Sequence, residues 1–183
     1  PALRRLVQHV VQGGVDVLVA LGTTGESSTL TEEERDLVVA ACLEEANGKP
    51  VVVGTGSSST AQAAAWTRRA RALGAHGALV VTPPYNKPTL AGIAAHYRAI
   101  AQGAPGFPLV AYNVPGRTAV NLTPAGLQKV WELDEVVAVK ESSGNLGQIA
   151  EVERTLPPGK QLLSGDDNLA LPSVAVGATG VIS

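Results

Sequence analysis

The chain has 183 residues, enough for one large domain with a sizeable core, and 45% of them are apolar, which excludes a disordered chain. A net charge of −2 with no basic run argues against nucleic acid or an anionic membrane surface as a partner. The single cysteine, Cys42, excludes an internal disulfide or a cysteine metal cluster and suits the cytoplasm, and no apolar stretch is long enough to span a bilayer.

The chain begins at Pro1 without an initiator methionine, and Pro1-Ala2-Leu3-Arg4-Arg5 does not read as a signal peptide. A fragment of a longer protein is expected. Residues 1–12 carry Leu3, Leu6, Val7, Val10 and Val11 at helical spacing and stop at Gly13-Gly14. A Val-rich run over 15–21 follows and predicts a strand. Its end, Gly22-Thr23-Thr24-Gly25-Glu26-Ser27, allows a sharp turn with N–H and hydroxyl donors, which suits a small carboxylate. An ordinary turn tied down by Glu26 fits equally well. Thr31 with Glu34 forms a capping-box pattern at the next helix.

The strand run 50–54 ends in Gly54-Thr55-Gly56-Ser57-Ser58-Ser59-Thr60. This segment lacks the third glycine of a dinucleotide fingerprint and the Gly-Lys-Ser/Thr of a phosphate loop, so it reads as a flexible loop ending in a helix cap. In the helix beyond it, Ala63, Trp66, Ala70 and Leu73 share a face from which Arg68 and Arg71 point away. The run 77–82 leads into Thr82-Pro83-Pro84-Tyr85-Asn86-Lys87-Pro88, where three prolines stiffen a loop around one phenol. Either the phenol is held for use or its ring packs under the loop.

The run 108–112 ends in Tyr112-Asn113-Val114-Pro115-Gly116-Arg117-Thr118, a phenol and a guanidinium on one strand-to-loop junction. A guanidinium binds carboxylates in bidentate fashion, and a phenol relays protons. Thr123-Pro124 opens another helix. The run 136–140 closes on Lys140, and Asn145 with Gln148 repeats the cap pattern. After the run 161–164, Ser164-Gly165-Asp166-Asp167-Asn168 offers paired carboxylates without a third metal ligand, so helix capping by Asp167 or Asn168 is the better reading. His9, His76 and His96 are scattered and read as structural. The last run is 179–183.

Strand, polar loop and helix alternate along the whole chain, which predicts βα units around a parallel sheet covered on both faces. The polar motifs all sit at the C-terminal ends of strands. That placement favours a (β/α)8 barrel, here lacking its first strand and last helices, over a doubly wound open sheet. No linker divides residues 1–183. Lys140 is the most informative residue. An ammonium that closes an apolar strand is expensive to desolvate, desolvation favours the neutral amine, and a neutral amine is a nucleophile. Taken alone, a strand-end lysine also fits a side chain that snorkels to water, and the other strand-end motifs favour the first reading.

Taken together, Gly22-Thr23-Thr24-Gly25-Glu26-Ser27, Pro83-Pro84-Tyr85-Asn86, Tyr112 to Thr118, Val139-Lys140-Glu141, Ser164-Gly165-Asp166-Asp167 and Gly180-Val181-Ile182-Ser183 resemble the dihydrodipicolinate synthase family of class I, pyruvate-dependent aldolases. The resemblance covers essentially the whole chain. It implies a (β/α)8 barrel in which Lys140 forms a Schiff base with pyruvate. Tyr112 would then be the central proton donor and acceptor, with Thr23 and Tyr85 in its relay and Tyr85 reaching in from a neighbouring subunit of a homo-oligomer. Thr24 and Ile182 would contact pyruvate, Gly165 would line the pocket, and Arg117 would hold the carboxylate of L-aspartate 4-semialdehyde. The product would enter lysine and diaminopimelate synthesis, with no metal or organic cofactor. Related aldolases that cleave sialic acid or keto-deoxy-sugar acids share the lysine and tyrosine but commonly lack this arginine. An inactive truncated fragment is the remaining possibility. Ala119 stands where the family usually has glycine, a departure read as minor.

Overall fold

A computed structural model describes all 183 residues. Seven strands form one sheet in the order β1-β2-β3-β4-β5-β6-β7, and every neighbouring pair is parallel. They span Leu18–Ala20 (β1), Val51–Gly54 (β2), Gly77–Val81 (β3), Leu109–Asn113 (β4), Val136–Glu141 (β5), Gln161–Ser164 (β6) and Gly180–Val181 (β7). Helices α1 (Ala2–Gln12), α2 (Glu32–Glu45), α3 (Thr60–Ala72), α4 (Leu90–Gly103), α5 (Pro115–Thr118), α6 (Pro124–Trp131), α7 (Leu146–Arg154) and α8 (Ala170–Ala175) lie between and before them. Sequential parallel order with intervening helices is the arrangement of a (β/α)8 barrel, and the open doubly wound alternative is set aside.

The central strands are mostly apolar because β3, β4 and β5 bury residues on both faces. On the face toward the helices, Val51, Val53, Val80, Leu109, Ala111, Val136, Val139 and Leu162 join one cluster of 33 buried residues. On the other face, Leu79, Val110, Tyr112, Val114 and Ala138 form a second, smaller cluster with Val19, Val52, Leu163 and Ile182 around it. Lys140 projects to this second side.

The caps hold the helix starts where the sequence places them. Thr31 Oγ1 accepts from Glu34 N–H at 3.2 Å while Glu34 Oε2 accepts from Thr31 N–H at 2.9 Å, the complete capping box. Thr123 and Asn145 cap α6 and α7 in the same way through Gly126 N–H and Gln148 N–H. Helix α1 closes at Gly13, and Gly14 takes the left-handed conformation at φ 89°. On α3 the buried face is Ala63, Ala64, Thr67 and Ala70, while Trp66 sits at its margin with the Arg35 guanidinium 3.9 Å from the ring centroid.

Three expectations change. Asp167 and Asn168 cap nothing: Asp166 precedes a short 3-10 turn without a side-chain cap, and α8 starts later, from Leu169. The glycines of Gly54-Thr55-Gly56 serve close packing rather than flexibility. A Cβ on Gly54 would strike the Leu21 backbone, and one on Gly56 would come within 2.6 Å of Val81 N. Ser59 does cap α3, as the loop reading requires. Finally, β7 is only two residues long, so Ile182 and Ser183 lie beyond it.

Candidate active site

The site is assembled at the C-terminal ends of β4 and β5. Tyr112 and Lys140 are partners in the β4–β5 register, as are Asn113 and Glu141. This pairing depends on an irregularity. Leu109 pairs with Val136 but Val110 pairs with Ala138, so Val137 is an extra residue in β5. Side chains alternate along a strand, so without that bulge Val139 would stand beside Tyr112 and the amine would turn to the helix layer.

Lys140 is buried and its Nζ lies 4.5 Å from the centroid of the Tyr112 ring. Burial lowers its pKa from the ordinary lysine value, Asp166 and Asp167 pull in the opposite direction, and Arg117 adds to the lowering. Tyr112 is also buried, and desolvation raises its pKa; Ser142 and Thr23 hydroxyls and Arg117 oppose the rise. The two groups are therefore pushed toward neutral amine and neutral phenol, the forms that attack a carbonyl and donate a proton.

Gly165 explains itself here. A Cβ at that position would sit 2.6 Å from Lys140 Cε and 2.9 Å from Cγ, and would strike Ser142 Oγ. Only a residue without a side chain lets the lysine stem lie across the end of β6. Ile182 is tied to the same strand end through its N–H to Ser164 C=O at 2.8 Å, and its side chain packs on the inner cluster.

Behind the lysine, on the helix side, Glu141 is fully buried. Asn113 Nδ2 donates to both its oxygens at 3.1 and 3.0 Å, Ser143 N–H donates at 2.8 Å, and Gln148 Nε2 donates at 3.4 Å. Asn113 Nδ2 also donates to Asn121 Oδ1, and Asn113 Oδ1 accepts from Leu122 N–H, both at 2.8 Å. One carboxylate thus ties the end of β4, the end of β5, the segment before α6 and the first turn of α7. Burial raises its pKa, and the donors from Ser143, Asn113 and Gln148 resist that rise. Sequence reading assigned this network no role. Its signal is an acid beside the lysine and an asparagine beside the tyrosine, each one step out of phase with an inward residue.

The remaining predicted residues lie at the rim. Thr23 and Thr24 are exposed in a 3-10 turn, Thr23–Gly25. Thr23 approaches the Tyr112 hydroxyl closely enough to bias it toward phenolate, and Thr24 has no side-chain hydrogen bond. The Glu26 side chain does not tie the loop down; it is exposed, in the left-handed region at φ 52°. Arg117 is exposed near the end of α5, a helix that sequence reading took for loop and that Pro115 initiates. The Tyr85 ring does not pack under its loop: it is 89% exposed, and its N–H donates to Thr118 C=O at 3.2 Å. Five of the six non-glycine residues at positive φ, namely Leu21, Glu26, Tyr85, Lys87 and Ala119, lie in segments that follow strand ends on this rim. His96 is structural: its Nδ1 is 2.9 Å from Thr60 Oγ1, and burial lowers its pKa to about 4. A separate cavity of about 320 Å³ opens between α2 and α3, lined by Arg35, Trp66 and Arg69, and none of Lys140, Tyr112 or Arg117 borders it.

The family model for the dihydrodipicolinate synthetase family matches residues 1–183. The chain belongs to that family. Among its relatives, the 4-hydroxy-tetrahydrodipicolinate synthase of Nostoc sp. is 48% identical over 179 residues, covering 97% of this chain and 61% of the relative. That of Geotalea daltonii is 48% identical over 182 residues, covering 99% and 62%. Dihydrodipicolinate synthase from Aquifex aeolicus superposes with a TM-score of 0.95 at 42% identity, covering all of this chain and 62% of that structure. The enzyme from Cyanidioschyzon merolae, solved with lysine bound, gives the same TM-score and identity over 99% of this chain and 62% of its own. The chain therefore spans about three-fifths of the length of these family members. No helix is long and apolar enough to cross a membrane.

Proposed function

We propose that residues 1–183 act as one catalytic domain of a 4-hydroxy-tetrahydrodipicolinate synthase, a Schiff-base-forming lyase that condenses pyruvate with L-aspartate 4-semialdehyde in lysine and diaminopimelate biosynthesis. The observation that carries the reading is the buried amine of Lys140 against the ring of Tyr112, in a site where burial favours the uncharged forms of both.

The chemistry follows from those forms. The Lys140 amine adds to the ketone carbon of pyruvate. Tyr112 gives its proton to the departing hydroxyl, water leaves, and an iminium remains. The iminium is an electron sink, so a methyl proton passes to the Tyr112 phenolate and an enamine forms. Its carbon attacks the aldehyde, the new alkoxide takes up that proton through Tyr112 and Thr23, and water hydrolyses the iminium that re-forms, freeing the product and the Lys140 amine. Thr24, Gly165 and Ile182 line the pyruvate pocket. Arg117, exposed beside the site, holds the second substrate's carboxylate. Tyr85, extended into solvent, completes the relay of a neighbouring subunit in a cytoplasmic homo-oligomer. The reading uses no metal or organic cofactor.

Turnover of pyruvate with aspartate semialdehyde, followed beside cleavage of a keto-deoxy-sugar acid, tests the assignment. The condensation is expected to be faster. Replacing Arg117 with alanine is expected to raise the KM for the semialdehyde by about 10- to 100-fold, the loss of a charge-assisted pair, with little change for pyruvate. Efficient sugar-acid cleavage without condensation would move the assignment to the related aldolases. A non-cooperative thermal melt would mean that the chain by itself is an inactive fragment.

A further inference from the structure

Ser142 Oγ is buried, and the residue is only 7% exposed, yet the hydroxyl has no hydrogen-bond partner. A buried hydroxyl left unpaired lowers stability, so its place in the molecule calls for an explanation. Its surroundings give one. Ser142 N–H continues the β5 ladder by donating to Asn113 C=O at 2.8 Å, which puts the side chain in phase with Lys140. The contacts of Gly165 place both on the same side, since a Cβ there would meet Lys140 Cε, Lys140 Cγ and Ser142 Oγ together. The hydroxyl thus faces the space shared by the amine and the phenol.

We propose that Ser142 is a positioning residue for proton transfer by Tyr112: its unpaired hydroxyl turns to donate a hydrogen bond to the phenolate oxygen formed when Tyr112 gives up its proton. This rests on the functional reading above. No bond to Ser142 forms or breaks. The Tyr112 O–H bond breaks, its proton goes to the departing hydroxyl of the pyruvate adduct, and the charge left on the phenol oxygen meets the Ser142 O–H. The other groups around the phenol are Lys140 over its ring, the Thr23 hydroxyl, the Arg117 cation and the Asp166 carboxylate. Arg117 is exposed and screened, and Asp166 opposes ionisation, so the Ser142 donor has a distinct part to play.

The test is Ser142→Ala beside Ser142→Thr. The alanine variant is expected to melt at or above the wild-type temperature and to trap pyruvate on Lys140 with borohydride to the same final extent but at a slower rate. It is expected to turn over about 10-fold more slowly at unchanged KM, by the logic of a lost donor to a developing anion. Ultraviolet titration of Tyr112, isolated as the difference from a Tyr112→Phe background, is expected to move to higher pH. Threonine, which keeps the hydroxyl, is expected to restore both readouts. An alanine variant with wild-type turnover and an unmoved phenol titration would overturn the proposal, as would a loss of folding that parallels the loss of activity. The phenol titration needs no substrate. A wild-type chain that fails to trap pyruvate would therefore sink the functional reading while the titration still decides the role of Ser142.

Discussion

Lys140 Nζ lies 4.5 Å from the centroid of the Tyr112 ring, and the two residues are register partners on neighbouring strands. The ring face favours an ammonium by about 0.5–2 kcal/mol. Burial favours the neutral amine, and it outweighs the opposing pull of Asp166 and Asp167, so the Lys140 pKa is lowered.

That balance has a consequence for stability. Unfolded, the amine titrates near 10.5; folded, burial holds it lower. Between the two values the unfolded chain binds more protons, so stability rises with pH across that window, and the cost of the buried charge is full below it. Lys140→Met keeps the stem and removes the charge. It is expected to be more stable than wild type at neutral pH, with the gap narrowing toward the free-lysine value. Denaturant melts of both proteins from neutral to alkaline pH check this, and a variant less stable at neutral pH would contradict it.

Gly165→Ala tests the cradle of the lysine. The added methyl would meet Lys140 Cε, Lys140 Cγ and Ser142 Oγ. Overpacking of this kind costs about 1–3 kcal/mol. A fall in the denaturant midpoint is expected, together with at least a tenfold loss of borohydride trapping because the amine is displaced. Trapping at the wild-type rate would show that the stem has room to move.

Ala119 adopts φ 58°, a left-handed conformation that costs an L side chain about 1 kcal/mol or more. The departure from glycine that looked minor in the sequence is therefore a point of strain beside Arg117. Ala119→Gly is expected to stabilise the chain by about 0.5–1 kcal/mol after the extra chain entropy of glycine is counted. A thermal melt checks it, and a lower melting temperature would show that the strain is absent.

Glu141→Ala would leave Asn113 Nδ2, Ser143 N–H and Gln148 Nε2 without their carboxylate. Unsatisfied buried donors make this a loss of about 2–3 kcal/mol. Equilibrium unfolding measures it. Stability unchanged within error would mean that water replaces the acid.

The parallel architecture was legible because strands buried on both faces read as continuous Val-rich runs, and because Thr31, Thr123 and Asn145 announce their helices. The amine-bearing strand was legible because Lys140 interrupts apolar residues. The bulge at Val137 was not, since one extra valine in a valine run leaves no mark on periodicity. It nevertheless decides which face the lysine takes. The Glu141 network was hidden for a related reason: Asn113 and Asn121 are far in sequence from Glu141 and Gln148, and the two pairs meet only when β4 and β5 pair. The glycines of Gly54-Thr55-Gly56 read as freedom but serve contact, a distinction that only packing reveals.

The central claim is a dry, nucleophilic amine at one position. Borohydride trapping with pyruvate as a function of pH, followed by peptide mapping, tests it most directly. A single label on Lys140 is expected, with a midpoint below the ordinary lysine value of 10.5. A label on another lysine, or a Lys140 midpoint at the ordinary value in the folded protein, would contradict it.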